Sequence, residues 1–348
     1  MNRLSGITAL TLMGLLAAAC GGTSSTPSPA APSTPAASHA APSAAPTNST
    51  ASTPASVPAS APGSAPASVA VVATIPPDQL LFAGKLTICS DLPYPPQEYF
   101  DPNGNAIGSD IEIGEAIAAR LGLQAEVVNS VFDTIIPALT GGKCDLIISA
   151  QNINDDRLTQ VDMIPYFQAG QAFLVQKGNP ANIQTVQDLC GKTVAVEAGT
   201  TMLDYLSGTS AFKNGGLPKV CTDASAAAVV AKPFQKDSDA LAALQSGTAD
   251  AYFSDLPVVI GYAAAQPETF EVAPVPQIDP ALEGISVAKP SDPSQQHTAI
   301  YDAVKTALLA SIADGSYQAI LTKYAVESGA ITADVVNTPE VAPSPGAS

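Results

Sequence analysis

The 348-residue chain has no tryptophan, only two histidines and little charge: its 14 Lys+Arg and 31 Asp+Glu make up 13% of residues, against roughly 25% in an ordinary soluble domain. Each scarcity excludes something. With histidine only at His39 and His297, a zinc helix carrying two histidines cannot be built, and a Ser-His-Asp triad would have to use His297. The net charge of −17 repels phosphate and argues against nucleic-acid binding through a basic face. The shortage of charge is also uneven. No Asp, Glu, Lys or Arg lies between Arg3 and Asp78, so residues 78–348 hold 13 basic and 31 acidic side chains, a net −18.

The charge-free quarter reads as an address and a spacer. Arg3 gives a short positive head, and residues 4–16 form an apolar run, too short for a bilayer, which needs about 20 residues. Ala17, Ala18 and Ala19 follow, then Cys20. This is the pattern of a secretory signal over residues 1–19. A cysteine directly after the small residues resembles a bacterial lipobox, which implies cleavage before Cys20 and a lipid on its thiol. That pattern usually has leucine three residues before the cysteine, where this chain has Ala17. Residues 23–68 contain 10 Pro, 14 Ala, 12 Ser and 6 Thr. No periodic apolar face can be drawn through them, so residues 20–77 are expected to be a disordered tether that holds a domain off a membrane. A second disordered stretch is expected at 336–348.

From Gly84 onward strands and helices alternate. Strands are expected at 86–89, 125–128, 145–149, 193–196, 229–230, 250–253 and 284–287. Helices are expected at 110–121, 132–139, from Gly199, at 239–244, 297–312 and 317–324. The turn Asp101-Pro102-Asn103-Gly104 suggests a small hairpin. Such alternation indicates an α/β fold with parallel, helix-covered sheets. Ligands then bind beyond the C-terminal strand ends, often where helix N-termini converge.

The strand ends carry a resemblance. Asp91-Leu92-Pro93-Tyr94-Pro95-Pro96, Gly108-Ser109-Asp110, Phe132-Asp133, Gly142-Lys143-Cys144-Asp145, Ser149 and Arg157 resemble the first lobe of family 3 solute-binding proteins, the extracytoplasmic receptors of polar-amino-acid ABC transporters. Asp188-Leu189-Cys190-Gly191-Lys192, Glu197-Ala198-Gly199-Thr200, Ala249-Asp250-Ala251, Asp255, Asp314-Gly315-Ser316-Tyr317 and Lys323-Tyr324 continue the match. The resemblance implies a two-lobed periplasmic-binding-protein-like fold of type II, with two parallel-sheet lobes joined by two hinge strands. Lobe 1 would be 79–172 plus 285–331, lobe 2 would be 173–284, and the crossovers 173–175 and 285–287.

A free amino acid presents a carboxylate and an ammonium, so its receptor needs a forked cation, oriented N–H donors and a carboxylate. By the resemblance, Arg157 binds the carboxylate from the first turn of a helix capped by Asn154. Gly199, Thr200 and Thr201 supply backbone N–H groups, and Asp255 takes the ammonium. Ser149 and Asn152 match contacts to either group, with Ala150 contributing only backbone. Tyr94 and Phe132 match the aromatics that flank the side chain, and Gln97 makes that corner more polar. Asp91 and Glu197 fall at the cleft edges. Two carboxylates and a glutamine favour a ligand with a cationic or amide side chain.

Beyond Cys20, four cysteines remain in an oxidising compartment. Cys190 and Cys221 fall in lobe 2 and are expected to pair. Cys89 lies near the end of its strand and Cys144 before the start of another, which as parallel neighbours would leave their sulfurs about 10 Å or more apart, too far for a bridge. Asp101, Asn103, Asn105 and Glu112 imitate a calcium loop, but Ala106 stands where its glycine belongs, so the hairpin explains them better. No cofactor and no metal is expected. The implied protein is a monomeric, lipid-anchored amino-acid receptor on the outer face of the cytoplasmic membrane, or in the periplasm, serving an ABC permease and its ATPase. It would not be an enzyme. The alternatives are a same-fold enzyme of cyclohexadienyl-dehydratase type, with Glu197 as proton donor, and an amino-acid sensor feeding a signalling receptor.

Overall fold

The computed structural model describes residues 69–209, 212, 214–291, 294 and 297–337. The signal, Cys20 and most of the spacer, and the tail from 338 on, lie outside the described residues. Eleven strands are described: β1 (Lys85–Ser90), β2 (Tyr99–Phe100), β3 (Ala106–Ile107), β4 (Gln124–Asn129), β5 (Leu146–Ile147), β6 (Val161–Gln176), β7 (Thr193–Glu197), β8 (Val230–Phe234), β9 (Ala251–Asp255), β10 (Phe270–Val272) and β11 (Ile278–Ala288). The α-helices are α1 (Ser109–Arg120), α2 (Ile135–Thr140), α3 (Asp155–Gln160), α4 (Thr201–Ser207), α5 (Gly216–Asp223), α6 (Asp237–Gln245), α7 (Leu256–Ala265), α8 (Ala299–Ala313), α9 (Ser316–Lys323) and α10 (Ala333–Asn337).

Strand order explains the architecture. β4, β1 and β5 pair in parallel in the first lobe, and β8, β7 and β9 in the second. Two long strands join them: β11 runs antiparallel to β5, β6 antiparallel to β9, and β6 and β11 pair with each other. The fold is therefore the two-lobed, type II periplasmic-binding-protein architecture, parallel within each lobe and mixed where the lobes meet. β1 is buried from Leu86 through Ser90, as a parallel strand covered on both faces should be. Apolar residues spaced four apart on α1, Ile113 and Ile117, join Ile88, Leu146, Val304 and Leu308 in the first core. Phe173, Val196, Leu217 and Phe253 anchor the second.

The differences from the sequence reading have local causes. Residues 173–175, read as a crossover, pair with β9 and β10, and Ser286 and Val287 pair with β5. The passage between lobes therefore lies earlier in both long strands. The strand expected at 145–149 shortens to two residues, because the chain bends at Asp145 and again at Ser149. Helices α5 and α7 were not anticipated; Pro218 and Pro257 sit in their first turns, where proline is tolerated, and Gly261 interrupts the apolar run. Residues 69–77, assigned to the tether, pack on the first lobe instead: Ile75 is buried and the Val72 N–H donates to the Arg120 carbonyl at 2.8 Å. At the other end Val336, assigned to the tail, is buried within α10.

The bend at Asp145 also overturns the expectation for Cys89 and Cys144. They form a disulfide, with Cα atoms 5.7 Å apart. The register places Cys89 opposite Ile147, but the chain before β5 is not a continuation of the strand. It turns back so that Cys144 meets Cys89, Ile135, Leu139 and Ile147 in one apolar cluster. The expected Cys190–Cys221 bridge is also formed. The hairpin is β2–β3. Asp101 caps its turn, accepting the N–H groups of Asn103 and Asn105 at 2.8 Å each, while Glu112 turns away to accept from the Tyr324 hydroxyl at 2.6 Å.

Candidate functional site

Four strands end in the same place. Asp91 follows β1, Ser149 follows β5, Glu197 closes β7 and Asp255 closes β9. These residues line one cavity together with Tyr94, Glu98, Phe132, Ala150, Asn152, Thr200, Thr201 and Met202. Ten of the expected residues are thus brought together. Their carboxyls are deeply buried: Asp91 is 5%, Glu197 6% and Asp255 1% exposed.

The backbone that carries them is held by side chains. Ala150 has a left-handed φ of 44°, a conformation that costs a non-glycine residue on the order of 1 kcal/mol. Its N–H is fixed by Asp110 Oδ2 at 2.9 Å and the Tyr166 hydroxyl oxygen at 3.1 Å. Asn154 caps α3 by accepting the Arg157 N–H at 2.8 Å. Thr200 caps α4 by accepting the Leu203 N–H.

Several bonds cross between the lobes. The Tyr94 hydroxyl donates to Asp255 Oδ2 at 2.8 Å and accepts the Asp255 N–H at 3.2 Å. Thr201 Oγ1 donates to Asn152 Oδ1 at 2.7 Å. Arg157 donates across to the Gly199 carbonyl at 3.0 Å and, within its own lobe, to the Asn152 carbonyl at 2.6 Å, with its guanidinium 5.3 Å from the centre of the Phe132 ring. Arg157 and Gly199 line an adjoining recess with Phe132 and Asp204 rather than the main cavity. Burial lowers the Arg157 pKa to about 10, so it remains a cation at neutral pH.

Gln97 is the expected residue that the structure removes from both the cavity and its adjoining recess. It is fully buried, and its amide donates to Glu283 Oε2 at 2.7 Å. A carboxyl buried that deeply needs a donor, and Gln97 supplies it. The residues missed by sequence reasoning are Glu98, Met202 and Lys236. Glu98 Oε1 accepts from Ser149 Oγ at 2.8 Å, and burial, reinforced by Asp110, holds its pKa well above the ordinary value. Its place directly after Gln97 was the available signal.

The electrostatics divide the cavity in two. At one end burial, against the Tyr94 hydrogen bond and the Arg157 charge, raises Asp255 to about 7. Asp255 Oδ1, Asn152 Nδ2 and Glu98 Oε2 are buried there without a hydrogen-bond partner in the protein, which buried polar atoms rarely tolerate. An unpartnered acceptor carboxylate and a free amide donor in the cavity, with the Arg157 cation in the adjoining recess, suit a small zwitterion. At the other end Glu197 is raised to about 10, by burial first and then by Asp237 and Asp91. Asp237, held by the Tyr252 and Tyr262 hydroxyls, is raised to about 7 by burial. Among the described residues no helix is long and apolar enough to cross a membrane.

Comparison with known proteins agrees with the two-lobed fold. A family model described as bacterial extracellular solute-binding proteins, family 3, matches residues 86–327. The ABC transporter arginine-binding protein 1 of Escherichia coli is 28% identical over 68% of this chain and 89% of its own length. A probable histidine-binding protein of Campylobacter jejuni is 29% identical over 66% of this chain and 80% of its own. Among solved structures, an ancestral arginine-binding protein bound to arginine is similar with a TM-score of 0.58 and 33% identity, covering 69% of this chain and 98% of that one. An ancestral amino acid-binding protein described as a precursor of cyclohexadienyl dehydratase is similar with a TM-score of 0.56 and 30% identity, over 69% of this chain and 95% of that one. With the model spanning both lobes and the cleft between them, the chain belongs to the bacterial extracellular solute-binding proteins, family 3.

Proposed function

We propose that the protein is the receptor of an ABC importer, anchored outside the cytoplasmic membrane through a lipid on Cys20. It closes lobe 1 (79–172 plus 285–331) on lobe 2 (173–284) around a free L-amino acid and delivers it to the permease. Asp255 takes the ammonium. Arg157 and the amides of Gly199, Thr200 and Thr201 take the carboxylate, with Ser149 and Asn152 beside them. Tyr94 and Phe132 flank the side chain, whose cationic or amide end reaches Asp91 and Glu197. The observation that carries this reading is the buried Asp255 Oδ1, which has no hydrogen-bond partner in the protein and belongs to a residue that lines the cavity together with Asn152. The arginine-binding and histidine-binding relatives support the ligand class.

The test is a thermal-shift screen against the twenty amino acids, ornithine, citrulline and prephenate, followed by calorimetry. Micromolar binding corresponds to about −8 kcal/mol. Losing a buried charge partner costs about 2–5 kcal/mol, so Arg157→Ala should weaken binding at least thirtyfold. A change below threefold sinks the carboxylate assignment.

One observation favours a second reading. A Glu197 raised to about 10 is protonated at neutral pH, the state a proton-donating acid needs. Turnover of prephenate, lost in Glu197→Gln, would establish an enzyme of cyclohexadienyl-dehydratase type.

A further inference from the structure

The side-chain end of the cleft already contains a cation. Lys236, the residue before α6, reaches across from the second lobe. Its Nζ lies 2.9 Å from Asp91 Oδ1 and 3.3 Å from the Leu92 carbonyl oxygen. The other oxygen of Asp91, Oδ2, accepts the Phe132 N–H at 2.7 Å. Glu197 is close enough to Asp91 and Asp237 that their charges add to burial in raising its pKa. Both oxygens of Asp91 thus have donors from within the protein. Asp237, buried behind the cavity wall, is held by Tyr252 and Tyr262. Asp91 is 6% exposed in its side chain and Lys236 32%, so the pair lies at the rim of the buried cavity rather than in open solvent, where such contacts count for little.

These contacts change what the carboxyls can offer. Two carboxylates at the end of a cleft favour a basic side chain only while they are charged and uncompensated. Here one is compensated, and the other keeps its proton at neutral pH because burial and two acidic neighbours raise it. A guanidinium or ammonium entering this end would face Lys236 at close range and meet no uncompensated charge. An amide would meet a protonated carboxyl as donor and carboxyl oxygens as acceptors. Specificity here depends on the repulsive element as much as on the attractive one.

We propose that Lys236 is a specificity-determining residue: it supplies from within the protein the positive charge a basic ligand would otherwise bring, and so turns the cleft toward an amino acid with an uncharged amide side chain. This rests on the amino-acid-receptor reading above and narrows its ligand class.

The experiment is calorimetry with glutamine and arginine on the full-length protein, Lys236→Met and Lys236→Arg. The wild type should bind glutamine at least as tightly as arginine. Removing a charge this close should raise the arginine-to-glutamine affinity ratio about tenfold or more in Lys236→Met. Lys236→Arg, which keeps the charge, should stay within threefold of the wild-type ratio. Because Lys236 also bridges the lobes, its loss can weaken both ligands through closure alone, and only the ratio isolates its charge. A ratio within threefold of wild type in Lys236→Met overturns the proposal, as does an equal shift in Lys236→Arg or a wild type that prefers arginine more than tenfold. If the Met variant melts well below wild type, Lys236→Gln replaces it with the same criterion. A wild type that binds no amino acid refutes the receptor reading itself; one that binds with an unmoved ratio refutes only the role of Lys236.

Discussion

Lowering the pH from 8 to 5 carries Asp255 through its titration and should weaken ligand binding in a calculable way. The carboxyl is 1% exposed. Burial raises it to about 7, against the Tyr94 hydrogen bond and Arg157 and with help from Asp237 and Asp110. A ligand ammonium docked on Oδ1 stabilises only the ionised form, so the complex has the lower pKa and the ligand-free protein the raised one. The competent fraction is then about one half at pH 7 and about 1% at pH 5. Apparent affinity should fall about 100-fold between pH 8 and pH 5, roughly 2.7 kcal/mol, and level off above pH 8. At pH 7, binding should release about half a proton, visible as a dependence of the calorimetric enthalpy on the ionisation enthalpy of the buffer. Asp237 titrates in the same window, so the control is Asp255→Asn. It should bind about 2–5 kcal/mol more weakly at pH 8 and lose most of the slope. An affinity constant within threefold from pH 5 to 8, or an unchanged slope in Asp255→Asn, would refute the assignment.

Three further outcomes rest on the same structure. Asp237 and Asp255 have folded values of about 7, above the unfolded values near 4; their contribution is fully present below pH 4 and lost as pH rises through 7. The ligand-free protein should therefore melt roughly 5 °C or more higher at pH 5 than at pH 8, and scanning calorimetry showing the reverse order would contradict this. The two disulfides span 55 and 31 residues; removing either pair with a Cys→Ala double substitution should cost about 4 kcal/mol, and non-reduced peptide mapping should recover both bridges. At Gly199, φ is +78° and an added Cβ would lie 2.7 Å from the Asp133 Cα across the cleft. Gly199→Ala should weaken ligand binding about tenfold or more by holding the lobes apart, while the melting temperature without ligand shifts only by the order of 1 kcal/mol that a left-handed alanine costs; unchanged affinity would show that the close approach does not matter.

What could be read from the sequence was whatever depends on short-range order. Asp91, Ser149, Glu197 and Asp255 were findable because each follows an apolar run that forms a parallel strand, and such strands deliver their last residues to one edge. The Asn154 cap was findable because capping is local. What escaped depends on side-chain direction or on chain reversal. Gln97 and Glu98 are neighbours, yet one points into the acidic core and the other lines the cavity; only the local backbone separates them. Lys236 lies 145 residues from Asp91, and no periodicity announces where a lysine at a helix start will reach. The Cys89–Cys144 bridge was misjudged because a two-residue strand was read as a longer one, which pushed the cysteines apart on paper.

Those missed residues bear on one balance. Asp91, Glu98, Asp110, Glu197, Asp237, Asp255 and Glu283 are all at most 6% exposed, and all have raised values. Among the described contacts, Arg157 and Lys236 are the cations that reach this region. Ionising all seven against two would incur a desolvation penalty of several kcal/mol per ion. The protein meets this with neutral donors, the hydroxyls of Tyr94, Tyr166, Tyr252 and Tyr262, and with retained protons. The ligand's ammonium would then be the positive charge that closure adds at the Asp255 end, while Lys236 holds the corresponding place at the other. The pH slope at Asp255 and the ligand ratio at Lys236 therefore read the same charge balance from its two ends, so a protein that showed neither would not have the charge states on which both arguments depend.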